Sequence, residues 1–254
     1  MLTTQEQLKY SRQIMLNKIG QQGQISLRNA KVLIVGVGGL GNPASLYLAA
    51  AGVGTLYIAD GDTIELSNLP RQIQFSEQDI NQNKADIAAE KLNQQFPDSN
   101  IEAVDEMLDQ ELCDYYLPQV DLVLDCSDNI ATRYLINQAC VTHKVPLVVG
   151  AATGFDGQQM VIDPRDDNSA CYHCLFPASE KAPANNCQTI GILGPVLAII
   201  AGMQSLQAIK LLTGNKAKIN KLNLFDGLSN QWQHFTMKKQ EKCTVCGENS
   251  NTET

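Results

Sequence analysis

The chain alternates between short, unbroken apolar runs and longer segments where apolar and polar positions mix. Lys31 to Gly36 reads KVLIVG, Thr55 to Asp60 TLYIAD, Val120 to Cys126 VDLVLDC and Pro146 to Gly150 PLVVG. Short runs rich in Val, Ile and Leu, without alternation, predict strands buried on both faces. Residues 101–104 predict another strand. Helical spacing fills the intervals at Leu40 to Gly52, at 79–95 before Pro97, and on through about His143. Residues 4–19 predict an N-terminal helix with Leu8, Ile14, Met15 and Ile19 on a broad apolar side. After Gly154 the rhythm changes, and short strands near 157–163, 221–226 and 231–237 surround an apolar helix at 195–212.

This order predicts an α/β fold. Its expected form is a Rossmann-like, mostly parallel sheet with helices on both faces, extended on the same sheet by a mixed C-terminal part. The segment 190–209 has no charged residue and is about as long as the ~20 residues that span a bilayer. It also holds Gly191, Gly194, Gly202, Gln204, Ser205 and Gln207, and Lys210 follows. A buried helix with Pro195 in its first turn fits that composition better than a membrane span.

Charge and cysteine content narrow the class further. The 254 residues carry a formal net charge of −8 and no basic block, which argues against nucleic acid or an anionic membrane as partner. The polar start MLTTQEQLKYSRQ lacks a signal-peptide core, so a cytoplasmic chain is expected. In that setting eight cysteines point to metal binding or catalysis rather than disulfides.

Gly36, Gly38 and Gly41 form G-x-G-x-x-G between a strand and a helix, with Gly39 inside the loop. The first glycine allows the tight turn, the second lets backbone approach a phosphate, and the third lets helix and strand pack closely. The helix N-terminus offers N–H groups to anionic oxygens. Asp60 ends the next strand, where an acid hydrogen-bonds ribose hydroxyls. The motif by itself serves NAD and ATP equally.

The following polar segment shifts the balance toward ATP. Asp62, Ser67, Asn68, Pro70 and Arg71 lie in one loop, and Lys84 follows in the first turns of a helix. Arg71 and Lys84 supply cations suited to a triphosphate. Cys126-Ser127-Asp128-Asn129 follows an apolar strand, at the end where open α/β sheets bind ligands. Asp128 suits Mg²⁺, and it equally suits an N-cap for the helix starting near Asn129.

Two C-x-x-C pairs, Cys171/Cys174 and Cys243/Cys246, can each present two thiolates to a tetrahedral Zn²⁺. The segment 175–242 is too long for a zinc ribbon, so two independent pairs remain the alternative. Cys113, Cys126 and Cys140 fit small core positions. Cys187, in the polar stretch 184–189, could be a reactive thiol.

Together these residues resemble the ThiF/MoeB/HesA family, bacterial relatives of ubiquitin-activating enzymes. The likeness runs from Tyr10-Ser11-Arg12-Gln13 to Cys246. It rests on GVGGLG, ADGD, SNLPRQ, Lys84, CSDN with Thr132-Arg133, GPV before SLQAIKLL, and both cysteine pairs. Pro70 stands where most of the family shows Gln. The resemblance implies a homodimeric adenylyltransferase that activates the Gly-Gly carboxylate of a ubiquitin-like sulfur carrier with ATP and Mg²⁺, and that carries Zn²⁺. It implies Asp60 at the ribose with Asp62, Ser67, Asn68 and Asn129 nearby, Arg71 and Lys84 at the phosphates, and Asp128 at Mg²⁺. Arg133 supports the site, and Arg12 reaches in from the second subunit. Residues 1–154 are then the nucleotide part, 155–247 the zinc-bearing, carrier-binding extension and 248–254 a tail. The stretch 186–191 with Gly194-Pro195-Val196 is closer to ThiF-like members, serving thiamin thiazole synthesis with a ThiS-type carrier. There the cysteine matching Cys187 is associated with sulfur transfer, and a persulfide comes from another protein. The alternatives are a MoeB-like enzyme for molybdopterin synthase and, more distantly, an NAD-dependent oxidoreductase without a recognisable hydride-transfer pair.

Overall fold

The computed structural model describes residues 1–177 and 191–247. Its strands are β1 (Lys31–Val35), β2 (Thr55–Ala59), β3 (Asn100–Val104), β4 (Leu122–Asp125), β5 (Leu147–Thr153), β6 (Asp156–Ile162), β7 (Lys221–Asp226) and β8 (Gln231–Thr236). Among the described residues they form one mixed sheet in the order β3-β2-β1-β4-β5-β6-β7-β8. The first five are parallel neighbours, and β5 through β8 pair antiparallel. The strands after Gly154 therefore continue the sheet that the parallel strands begin.

The helices are α1 (Thr4–Lys9), α2 (Ser11–Ile14), α3 (Gly20–Asn29), α4 (Gly41–Ala50), α5 (Lys84–Gln95), α6 (Gln110–Tyr116), α7 (Ile130–His143), α8 (Tyr172–Leu175) and α9 (Gly194–Leu212). Successive strand residues point to opposite faces. Val32 and Ile34 join Leu27, Leu48, Leu92 and Ile200, placing α3, α4, α5 and α9 on one side. Leu33 and Val35 join Cys113, Ile136 and Tyr172, placing α6, α7 and α8 on the other. Two covered faces explain why β1 is apolar at consecutive positions.

Helix α9 is long and apolar enough to cross a membrane. In the fold it is a core element: Val196, Ile200, Gln204 and Ala208, four residues apart, are buried. Gln204 Nε2 donates to the carbonyls of Asp125 (2.9 Å) and Val148 (3.2 Å), satisfying an amide with no exposed surface. Gly150 makes room, since a Cβ there would lie 2.3 Å from Gln204 Cδ.

The N-terminus departs from the helix expected over 4–19. A capping box between Thr3 and Glu6 starts α1, and the chain turns at Tyr10, which is buried. Its ring fills the space at Gly52, where a Cβ would lie 2.7 Å from Cζ. Gly20, at φ 59°, then opens α3. Leu8 and Met15, expected on an apolar side, are 77% and 69% exposed. Helix α5 begins at Lys84 rather than near 79, because Asn83 caps it through the N–H groups of Ala85 and Asp86. Helices α3, α6 and α8 have no counterpart in the sequence reading.

Ahead of α5, Asp79 closes a 3-10 turn. It accepts hydrogen bonds from the Ser76 N–H (2.6 Å) and Oγ (2.8 Å) and pairs with Lys91. Burial pushes its carboxyl up, but Lys91 and Ser76 outweigh this and hold it below its ordinary value. A depressed folded-state value means stability that is present above the unfolded value of ~3.9 and lost as pH falls through the folded one. Asp79→Asn should therefore cost about 1–2 kcal/mol at pH 7, with the deficit shrinking below about pH 4. Denaturant unfolding at both pH values measures it.

Candidate active site

The glycine loop leaves β1 at its carboxyl end, and the chain reverses its build direction there, with β2 on one side of β1 and β4 on the other. That switch point is where open α/β sheets hold ligands. Gly36 takes φ 86°, and a Cβ there would lie 2.9 Å from the Cys126 carbonyl oxygen. A Cβ on Gly41 would fall 1.8 Å from the Gly36 oxygen, and one on Gly39 2.5 Å from Leu197 Cδ1. Gly36 and Gly41 are thus demanded by backbone, whereas at Gly39 the Leu197 side chain of α9 would have to shift. Gly38 has ordinary spacing to Gln72, 3.7 Å, so its missing side chain keeps a surface bare. Helix α4 starts without a side-chain cap; its Asn42 N–H donates to the Gly38 carbonyl at 3.0 Å and Pro43 has none, so of its first three residues Gly41 offers an N–H to an anion.

Asp60 extends from the end of β2 and is 9% exposed. Its Oδ2 accepts the Val37 N–H at 2.7 Å and its Oδ1 the Asp62 N–H at 2.9 Å. This carboxylate therefore ties the glycine loop to the next strand. Burial raises its carboxyl above the ordinary value, against the pull of Lys84 and the two N–H groups. Lys84 is 7% exposed, and its Nζ meets Asp62 Oδ2 at 2.8 Å. A cation in the first turn of a helix opposes the helix dipole, so Lys84 depends on these carboxylates or on another anion.

The loop carrying Ser67 and Asn68 is a 3-10 turn, Leu66–Asn68. Asn68 is buried, and its Oδ1 accepts the Glu65 N–H. Arg71 donates from Nη1 to the Ser67 carbonyl at 2.7 Å. The Pro70 oxygen lies 3.1 Å from a Cβ built on Gly194, so this loop rests on the start of α9. At the end of β4, Asn129 caps α7 by accepting the Thr132 N–H at 2.8 Å. The cap role that Asp128 could have filled thus belongs to Asn129, and Asp128 stands exposed beside it. Arg133 Nη2 donates to the Ser127 and Gly150 carbonyls at 2.6 and 2.9 Å, bracing the turn.

Arg12 stands apart. Its neighbour Gln13 donates to the Ala51 carbonyl, at the end of α4 opposite the glycine loop. One α4 length, about 15 Å, separates that end from the loop within one chain.

The cysteine pairs, distant in sequence, meet in space. Cys171, Cys174, Cys243 and Cys246 have sulfurs all within 4.8 Å of one another. The separations Cys171–Cys174 (3.9 Å), Cys171–Cys243 (3.7 Å) and Cys174–Cys246 (3.4 Å) bracket the roughly 3.8 Å between sulfurs that each sit about 2.3 Å from one tetrahedral ion. They are too long for disulfides. Hydrogen bonding from Cys171 pushes the Cys246 thiol down to about 5, while Cys171 is pushed up by that same hydrogen bond and Cys174 by burial. The donor set fits Zn²⁺ and leaves no open coordination position. Cys113, Cys126 and Cys140 are buried, and burial raises all three thiols. Cys187 and the tail 248–254 lie outside the described residues.

The ThiF family profile matches residues 10–245. The chain belongs to the ThiF family. It is 45% identical over 240 residues to the sulfur carrier protein ThiS adenylyltransferase of Escherichia coli (strain K12), covering 94% of this chain and 95% of that one. It is 40% identical to an adenylyltransferase and sulfurtransferase MOCS3 of Culex quinquefasciatus, over 98% of this chain and 57% of that longer protein. A crystal structure of E. coli MccB with MccA-N7isoASN superposes with a TM-score of 0.83 at 24% identity, covering 94% of this chain and 75% of that one, and shares the fold.

In this ThiF-family chain the glycine loop, Asp60, Asp62 and Lys84 come together, while Asp128 and Asn129 stand at the adjoining end of β4. Two supports escaped the sequence reading. Gln204 was visible as the one amide in the buried 196–200–204–208 row, and Gln72, the last residue of SNLPRQ, carried no signal that it would lie beside Gly38.

Proposed function

We propose that the chain adenylates the C-terminal Gly-Gly carboxylate of a small ubiquitin-like sulfur carrier, with a ThiS-type carrier of thiamin thiazole synthesis as substrate. The reading is carried by one observation: Asp60 and Lys84 are anchored around an uncapped helix N-terminus in a chain 45% identical, end to end, to an enzyme named for that reaction. The carrier carboxylate attacks the α-phosphorus of ATP, the bond to the bridging oxygen breaks, pyrophosphate leaves and an acyl-adenylate forms. Such transfer needs positioning and charge neutralisation rather than a protein nucleophile.

In this reading Asp60 binds the ribose, flanked by Ser67 and Asn68. The Gly41 N–H at the start of α4, Arg71 and Lys84 hold the phosphates. Asp128, exposed and relieved of capping, is the residue that would hold Mg²⁺, an ion that neutralises phosphate charge. Arg12 serves the second subunit of a homodimer, consistent with its distance from the loop of its own chain. The cysteine cluster holds structural Zn²⁺. The enzyme works in the cytoplasm, and Cys187 takes part in sulfur transfer from a persulfide donor. The MOCS3 likeness makes a molybdopterin-type carrier the second reading.

ATP–pyrophosphate exchange decides between them. Exchange should appear only when a Gly-Gly-ended carrier is added, and should be faster with the ThiS-type carrier. Absence of exchange with either carrier would overturn the proposal, and preference for the molybdopterin carrier would favour the second reading. Asp128→Ala should remove most exchange, and an unimpaired variant would refute its role at Mg²⁺. Cys187→Ser should keep exchange and lower sulfur transfer to the carrier, as followed by thiocarboxylate mass.

A further inference from the structure

Helix α7 touches both candidate sites. Its N-terminus follows Asp128, and its first turn is braced by Arg133 on the Ser127 and Gly150 carbonyls. One turn further, Asn137, with no exposed surface, accepts the Tyr172 N–H at 2.8 Å. Tyr172 is the first residue of α8, between Cys171 and Cys174. Tyr134, on the same side of α7, donates from its hydroxyl to the Phe176 carbonyl at 3.0 Å. Its ring lies edge-on to Tyr172, with centroids 5.6 Å apart, and tilted against His173 at the same distance. One rigid element therefore carries the nucleotide-side turn at one end and seats the cysteine knuckle on its flank.

Helix α8 has four residues, too few to hold its own shape. Its place is set by the sulfurs that flank it, by the two contacts to α7 and by Gln240, whose Nε2 donates to the Cys174 carbonyl at 2.6 Å. Without a cation among them, four sulfurs within 4.8 Å of one another lose the bonds that would fix the 171–174 turn to the 243–246 turn. Tyr172 and Phe176 would then shift against Asn137 and Tyr134, and α7 would lose part of its seat.

We propose that Asn137 and Tyr134 are positioning residues that couple metal loading of the knuckle to nucleotide binding at the far end of α7. Metal and ATP–Mg²⁺ then bind with positive cooperativity. The coupling is reciprocal by thermodynamic necessity, so each ligand tightens the other by one common factor. The inference rests on the adenylation reading for the identity of the nucleotide.

The test uses the full chain. Zinc affinity is measured by competition with a chromophoric chelator, with and without a non-hydrolysable ATP analogue and Mg²⁺. Affinity for the analogue is measured by calorimetry on zinc-loaded and zinc-stripped protein, with folding followed by circular dichroism. Each ligand should tighten the other by about fivefold or more. Asn137→Ala and Tyr134→Phe should bring that factor to within about twofold of one while both ligands still bind. Tyr134→Phe removes one hydroxyl from a part-buried ring, so it decides the matter if Asn137→Ala does not fold. Equal zinc affinity with and without bound analogue would overturn the coupling alone, as would full coupling in Tyr134→Phe. A chain that binds no analogue would overturn the adenylation reading and the coupling with it.

Discussion

Lys84→Ala should lower carrier-dependent ATP–pyrophosphate exchange by about 10²–10³-fold, the usual effect of deleting one preorganised group that stabilises transition-state charge. The side chain is fixed before nucleotide arrives: it is buried, it opens α5, and Asp62 holds its Nζ at 2.8 Å. A cation already in place spends little energy on reorganisation when charge develops. The fold should tolerate the change. Alanine is the best helix former, and the variant removes a cation from a helix N-terminus. Asp62, with its side chain 59% exposed, is left in water rather than stranded. Asp62→Ala should be milder, within about tenfold of the parent, because Asp60 remains close to Lys84. Both variants are assayed at saturating ATP. Lys84→Ala within tenfold of the parent would mean that another group neutralises the phosphates.

Cys243→Ser should take bound zinc from about one ion per chain to near zero and lower stability by about 3 kcal/mol or more, roughly 6–12 °C in melting temperature for a chain of this size. Cys243 is buried, and its sulfur lies 3.7 Å from that of Cys171. Losing it breaks the only set that joins the last residues of the described chain to the 171–176 turn through sulfur. The sheet keeps its two apolar faces, so the variant should still fold at room temperature. Elemental analysis and calorimetry measure both effects, and strong chelation of the parent should reproduce the thermal shift. A parent without metal, or a variant as stable as the parent, would remove the structural role assigned to the cluster.

What could be read in advance was whatever depends on near neighbours. The apolar runs at 31–36, 55–60, 120–126 and 146–150 became β1, β2, β4 and β5 with ends displaced by up to three residues, because burial on both faces leaves a signature inside each run. The glycine spacing worked for the same reason: Gly36 and Gly41 touch each other. Failures came where distant residues decide. The helix expected over 4–19 breaks at Tyr10 because Gly52, on the far side of β1, offers its ring a seat. Whether the two cysteine pairs share a site depended on β7 and β8 returning the chain to α8. Asn137 looked like any polar residue of a helix, since its partner, the Tyr172 N–H, lies 35 positions on.

The antiparallel strands end in β8, which among the described residues is paired on one side and exposed at nearly every position. Five strand spacings, about 24 Å, separate it from β1 and the glycine loop. That border lies away from the glycine loop, Asp60 and Lys84. It is a margin on which a reporter strand or an added module could be grafted, leaving the chemistry at the centre of the sheet undisturbed.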